Sequence, residues 1–166
     1  MAQLDILRWP DPRLQQICAQ VADGSDLSTL AQDMLDTMYA AYGRGLAGPQ
    51  VGVMQRIFVM DVTWKEGTRA PQVLINPEIL EASDALAGGE EGCLSIPNAP
   101  AEVQRPAEVV MTWLDLQGQR QTRRMTGFEA KCAQHELDHL NGVVIFDHLG
   151  QDDRARLEAA YQEALK

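Results

Sequence analysis

Apolar residues recur at helical spacing between Ser25 and Tyr42, where Leu27, Leu30, Ala31, Met34, Met38, Ala41 and Tyr42 share one face. The spacing predicts an amphipathic helix with Ser25 as its N-cap and Gly43 as its stop. Four glycines and one proline in the next ten residues, GRGLAGPQVG, predict irregular backbone. The segments RIFVMDV, QVLINP and VVMTWLD are short, rich in β-branched and aromatic residues and bounded by turn formers, so each reads as a strand. Thr126 followed by Glu129 has the spacing of a capping box, and a second helix runs from Gly127 to Asn141 until Gly142 closes it. VVIF after it reads as a strand. From Asp152 onward, Leu157, Ala160, Tyr161, Ala164 and Leu165 mark a last amphipathic helix. Strands in runs, with helices set apart from them, indicate an α+β fold.

Composition narrows the class. The chain has 166 residues, 45% of them apolar, which is enough for one domain over 1–166 with a sizeable core. No stretch of about 18 uninterrupted apolar residues offers a membrane span. The first residues, MAQLDILRWPDPRL, lack the basic-then-apolar profile of a secretory signal, so a cytoplasmic location is expected. Three cysteines, Cys18, Cys93 and Cys132, are too few and odd in number for a disulfide framework, and read as reduced thiols. The net charge is −10, from 14 basic and 24 acidic residues, with no cluster of lysine and arginine. Binding phosphates needs such a cationic face, so nucleic acid is set aside as a substrate.

The chain has only three histidines, and two of them, His135 and His139, fall four residues apart within CAQHELDHLNG. On a helix that spacing puts both imidazoles on one face about 6 Å apart along the axis, close enough to share a metal at about 2.0–2.1 Å. Glu136, offset by about 100° around the helix, can flank the ion and take a proton from a bound water. The same five-residue pattern also arises by chance on a solvated helix face. Two imidazoles rarely suffice, and Cys93, Cys132, Asp138, His148 or a more distant carboxylate are candidates for a third ligand. Cys132 lies seven residues from His139, roughly 10 Å along the axis, which suits a packed wall residue better than a ligand. Cys93 sits among glycines in GGEEGCLSIPNAP, where backbone can approach a metal closely and LSIP looks extended. Cys18 reads as an ordinary buried thiol.

Three separated motifs, GRGLAGPQ (Gly43–Gln50), EGCLS (Glu91–Ser95) and QHELDHLNG (Gln134–Gly142), resemble in order and spacing the signature motifs of peptide deformylases. The likeness extends from ILRWPDPRL to VVIF, most of the chain. It implies antiparallel sheets packed around a central helix carrying HExxH, with a C-terminal helix. It further implies a metallohydrolase that removes the formyl group from the amino-terminal formyl-methionine of nascent polypeptides, with Fe²⁺, or with Zn²⁺ or Ni²⁺ in its place. By this resemblance Cys93, His135 and His139 are the metal ligands and Glu136 the general acid/base. Gln50 and the Leu94 backbone N–H are the oxyanion donors, and Gly45 belongs to the same catalytic group. Arg44, Gly45, Leu46, Phe128, Lys131 and Cys132 fall at substrate-binding positions. Three ligands leave the fourth position to a water, whose pKa a metal lowers towards 7. Glu91 is expected to pair with Arg105 and hold the cysteine loop.

The chain departs from the pattern in three places. Gly48 stands where the first motif usually has alanine, which is expected to loosen the backbone before Gln50. Arg44 and Lys131 replace residues that are apolar in many relatives, near the pocket for the methionine side chain. Heads pointing inward would favour a polar or acidic residue, whereas stems that snorkel outward would leave the pocket apolar. The acidic tail, with Asp152, Asp153, Glu158 and Glu163, looks unsuited to docking on the ribosome. A deacylase with another N-acyl substrate and a non-catalytic metal-binding domain are the rival readings.

Overall fold

The computed structural model describes residues 2–166. Helix α1 spans Ser28–Ala40 and is followed by strands β1 (Gly45–Ala47), β2 (Ile57–Met60), β3 (Gln72–Ala82), β4 (Leu86–Cys93), β5 (Ile96–Pro106), β6 (Glu108–Leu114) and β7 (Arg120–Thr126). Helix α2 spans Gly127–Leu140 and α3 spans Gln151–Ala164. The strands form an antiparallel five-stranded sheet in the order β1-β2-β3-β6-β7 and a separate β4-β5 hairpin. The α+β expectation holds.

Strand β2 shows why the sheet sits where it does. All four of its residues are fully buried because helices cover both faces. Ile57 and Val59 point towards α1 and pack with Ala31, Met34, Leu35 and Met38. Phe58 and Met60 point the other way, into a cluster with Met111, Trp113, Met125 and the α2 residues Ala130, Ala133, Leu137 and Leu140. Burying one such side chain contributes about 1.5–3 kcal/mol relative to leaving it exposed. A third cluster joins Trp9 and Leu14 to Ile96, Ala101 and Val103 of β5, to Val144, Ile145 and Phe146, and to Tyr161 of α3.

Several local expectations are corrected. Ser25 does not cap α1: its hydroxyl donates to the Ala22 carbonyl, and the Asp26 carboxylate takes the Ser28 N–H instead, so the helix begins two residues later, with Leu27 in the cap position. Tyr42, at φ 60°, rather than Gly43, adopts the left-handed conformation after α1. Thr126 occupies the N-cap position of α2 as expected, but no capping box forms: its side chain makes no cap bond, and Glu129 is drawn to Arg123 and Gln72. VVIF is not a strand: Ile145–His148 form a 3₁₀ turn that buries Ile145 and Phe146 in the third cluster. In α3 only Tyr161 is buried, and Leu165 is exposed. Strands β1, β4, β5 and β7 lay outside the sequence expectation; β1 falls within GRGLAGPQVG, expected to be irregular, where Gly45–Ala47 pair with β2 instead.

Candidate metal centre

Helix α2 lies with His135, Glu136 and His139 buried on the side facing the hairpin, whose β4 ends at Cys93. Cys93 pairs with Ile96 across a turn made of Leu94 and Ser95, and a register shift between Glu91 and Cys93 turns the thiol out of the regular ladder. One donor atom each from Cys93, His135 and His139 lies within 4.8 Å of the others, and Cys93 Sγ is 3.4 Å from His139 Nε2. Sulfur and nitrogen held tetrahedrally at about 2.3 and 2.1 Å from one ion sit about 3.6 Å apart, so this spacing fits a divalent cation.

A chain of buried charges holds the hairpin to the helix. Glu91 Oε1 lies 3.0 Å from His135 Nδ1. A carboxylate only accepts, so Nδ1 carries a proton and Nε2 is the ring nitrogen left for a metal. Arg105 on β5 grips Glu91 with two bonds of 2.7 and 2.9 Å and reaches Asp138 on α2 at 2.8 Å. Asp138 is in turn bound by His148 Nε2 at 2.7 Å. The expected Glu91–Arg105 pair is therefore present. Asp138 and His148, both candidates for a third ligand, belong instead to this chain of partners. Gln134 Nε2 adds a further tie, donating to the Pro106 carbonyl at 3.0 Å.

These contacts set the charge states. Burial alone would raise the Glu91 carboxyl, but hydrogen bonds from His135 and Arg105 outweigh it and bring its pKa down to about 2. Burial would likewise raise the Cys93 thiol, yet the adjacent His139 and His135 imidazoles hold it at about 5, so a thiolate is ready for a cation. The Glu136 carboxyl moves the other way, raised chiefly by burial, as befits a group that must accept a proton and release it. Its Oε1 is buried with no partner among the described residues, as is His139 Nδ1. Cys132 is pushed well up by burial, and its Sγ lies 3.6 Å from the Arg44 carbonyl, in the wall rather than at the centre.

Gln50 approaches from a 3₁₀ turn, Gly48–Val51. Its Oε1 accepts from the Ala47 N–H at 2.9 Å, and its Nε2 donates to Ser95 Oγ at 3.1 Å and points at Cys93 Sγ, 3.7 Å away. Gly48 does not loosen this turn. A Cβ there would lie 2.7 and 2.9 Å from the Val53 and Gln55 carbonyl oxygens, so the backbone is packed too closely for alanine. Gly45 is constrained in the same way, since a Cβ would sit 2.5 Å from Glu136 Oε2.

The centre opens on a cleft of about 660 Å³. Arg44, Gly45, Gln50, Leu94, Phe128, Lys131, Cys132 and Glu136 line it together with Cys93 and His135. Leu46, expected at the substrate site, does not: its side chain is fully buried in the cluster beneath α1, on the other face of the sheet. Strand alternation puts Gly45 towards the cleft and Leu46 away from it. Arg44 snorkels, its guanidinium stacking 4.9 Å from the Phe128 ring centroid and meeting exposed Glu66 at 3.1 Å. Ser95, which orients Gln50, and Glu91 as the partner of His135 were not foreseen. A polar residue two positions to either side of the motif cysteine, Cys93, was the available signal for both.

Residues 3–155 match the family model described as Polypeptide deformylase. The chain is 47% identical to a peptide deformylase of Alkalilimnicola ehrlichii over 100% of its own length and 93% of that protein. It is 46% identical to one from Afipia carboxidovorans, covering 100% and 98% of the two chains. The crystal structure of a peptide deformylase from Legionella pneumophila superposes with a TM-score of 0.91 at 38% identity, covering 98% of this chain and 95% of that one. The enzyme from Synechococcus elongatus in complex with actinonin gives 0.90 at 37% identity, over 99% and 89%. Fold, motif order and full-length identity agree, and the chain belongs to the polypeptide deformylase family.

Proposed function

We propose that Cys93, His135 and His139 hold the metal of this enzyme, and that Glu136, Gln50 and the Leu94 N–H carry out hydrolysis of the N-formyl group of formyl-methionyl peptides. The observation that carries the reading is the convergence of one thiolate and two imidazole donors within 4.8 Å beside a buried carboxylate. A thiolate with two imidazoles suits Fe²⁺, and also Zn²⁺ or Ni²⁺. A cation bound there supplies Lewis acidity and lowers the pKa of the water it binds towards 7.

The protein's own groups do the rest. Glu136 takes the proton of the attacking water and returns it to the departing amine. Gln50 Nε2, fixed by Ala47 and Ser95, donates to the oxygen that becomes negative, and the Leu94 N–H beside Cys93 is the second donor. Removing one such donor typically costs about 3 kcal/mol. Glu91 keeps the His135 ring in one tautomer and orientation. The substrates are formylated nascent chains in the cytoplasm. No helix among the described residues is long and apolar enough to cross a membrane. In α3, Arg154 pairs with Glu158 and Arg156 with Asp153, so this helix offers no unpaired arginine to ribosomal RNA.

The test is turnover of a formyl-Met peptide by anaerobically prepared, Fe²⁺-loaded protein, read as free amine. Turnover well above a Glu136→Ala control is expected. Equal rates would refute the proposal.

A further inference from the structure

The cleft is basic in an acidic chain. Arg8, Arg44, Lys65 and Lys131 line it, whereas the whole chain carries −10. Three carboxylates line it too, but Glu91 is bound by Arg105 and His135, and Glu136 is buried at the reacting centre. Glu90 remains at the lip, joined by Glu66, which reaches Arg44 from a position 64% exposed. Among the described residues Arg8, Lys65 and Lys131 form no ion pair. Four cations thus face two solvated carboxylates.

Two of these cations share one wall. The Arg44 guanidinium lies over Phe128, and one turn along α2 Lys131 crosses to the hairpin, donating to the Glu90 carbonyl at 3.1 Å. Gly89 makes room for that head, since a Cβ there would lie 2.8 Å from Lys131 Nζ. One bond leaves the remaining ammonium protons available. Arg44 Nε is buried without a partner among the described residues. Lys65 is lowered first by burial and next by the charge of Arg44, so these like charges are close enough to repel.

We infer that the rim formed by Arg44, Lys65 and Lys131 selects substrates bearing an acidic side chain at the residue after formyl-methionine. The inference rests on the hydrolase reading above, which places the formyl end at Cys93, His135 and His139 and the following residue at the mouth. The Arg44 stem and the Phe128 ring leave an apolar wall for methionine, while the charged heads stand outside it. A carboxylate at the mouth accepts hydrogen bonds from these heads and relieves their mutual repulsion; a lysine adds one more cation. The negative field of the whole chain opposes acidic peptides at long range, but at physiological salt it is screened beyond about 8 Å, whereas a carboxylate at the mouth meets the rim cations directly.

The test compares kcat/KM of the Fe²⁺-loaded enzyme for formyl-Met-Glu-Ala, formyl-Met-Gln-Ala and formyl-Met-Lys-Ala amides at physiological salt. Each exposed pair changes affinity by only a few-fold, so the expected order is Glu, Gln, Lys with about tenfold between the extremes. Lys65→Glu should shrink that ratio to about twofold or invert it. The ratio is taken within one preparation, so it does not depend on the fraction of active protein. Values equal within about twofold for the three peptides, or a preference for lysine, would overturn the inference. If no formyl peptide is turned over, the hydrolase reading fails and the dissociation constants of Met-Glu-Ala and Met-Lys-Ala decide the rim. Tighter binding of the glutamate peptide supports the inference, and equal binding overturns it.

Discussion

The five-stranded sheet is fastened to α2 by apolar side chains, whereas the β4-β5 hairpin is fastened to the same helix by charges. Phe58, Met60, Met111 and Met125 reach Ala133, Leu137 and Leu140 in a continuous cluster. On the other side of α2, the link runs through Arg105, Glu91, His135 and Asp138. The inner face of β5 gives Ile96, Ala99, Ala101 and Val103 to the third cluster, which packs on Phe146 and Tyr161 and contains no residue of α2, so burial there does not fix the hairpin against the helix. Apolar packing is non-directional and tolerates small shifts, but charge-assisted hydrogen bonds fix angle as well as distance. The difference places stability mainly in the sheet and the aim of Cys93 mainly in the charged link.

Glu136 lies buried on α2, the helix that both regions grip. Glu136→Gln should lower kcat by about 10²–10⁴ at unchanged metal content and melting temperature, because it removes proton transfer and little else. Assay and metal analysis on one preparation check this. In the sheet, Phe58→Ala should cost about 3–5 kcal/mol in denaturant unfolding, with activity per folded molecule close to wild type.

In the hairpin link, Glu91→Gln should cost about 3 kcal/mol at neutral pH, and the cost should depend on pH. The carboxyl is held at about 2 in the folded chain against 4.5 for a free glutamate, so the folded state favours the charged form. The stability it gives is complete above pH 4.5 and is lost as pH falls from 4.5 towards 2. Unfolding free energies of the two proteins should therefore converge across that window. The variant should also bind its metal roughly 10–100-fold more weakly, which a core truncation would not cause. The smallest effect is expected from Gly45→Ala, whose Cβ must displace Glu136 Oε2. A loss of about tenfold in kcat with under about 1 kcal/mol of stability is expected from so local a shift.

The same contrast explains what was legible in the sequence. IFVM announced β2 because a strand covered on both faces must be apolar throughout, and His135, Glu136 and His139 announced themselves by helical spacing. β5 does alternate, burying Ala99, Ala101, Val103 and Arg105 in turn after Ile96, but two of these are alanines, one is charged and the strand carries three prolines, so the pattern lacked the usual apolar signal. Those prolines are tolerated because a two-stranded hairpin has a free edge. β7 buries only Met125, and its Arg123 lies 5.4 Å from the Trp113 ring centroid, so its polar sequence concealed a strand. For Leu46, motif position pointed to the cleft, but strand alternation sent the side chain the other way. Gly48 was read as slack because its sequence neighbours say nothing of the two carbonyls that press on it.

The central claim is that the hairpin and the helix present their donors to one ion. X-ray absorption on metal-loaded protein tests it most directly. One sulfur near about 2.3 Å and two nitrogens near about 2.0–2.1 Å are expected around the metal, with the sulfur signal gone in Cys93→Ser. A metal shell without sulfur in the wild-type protein, or one unchanged by that substitution, would contradict the account.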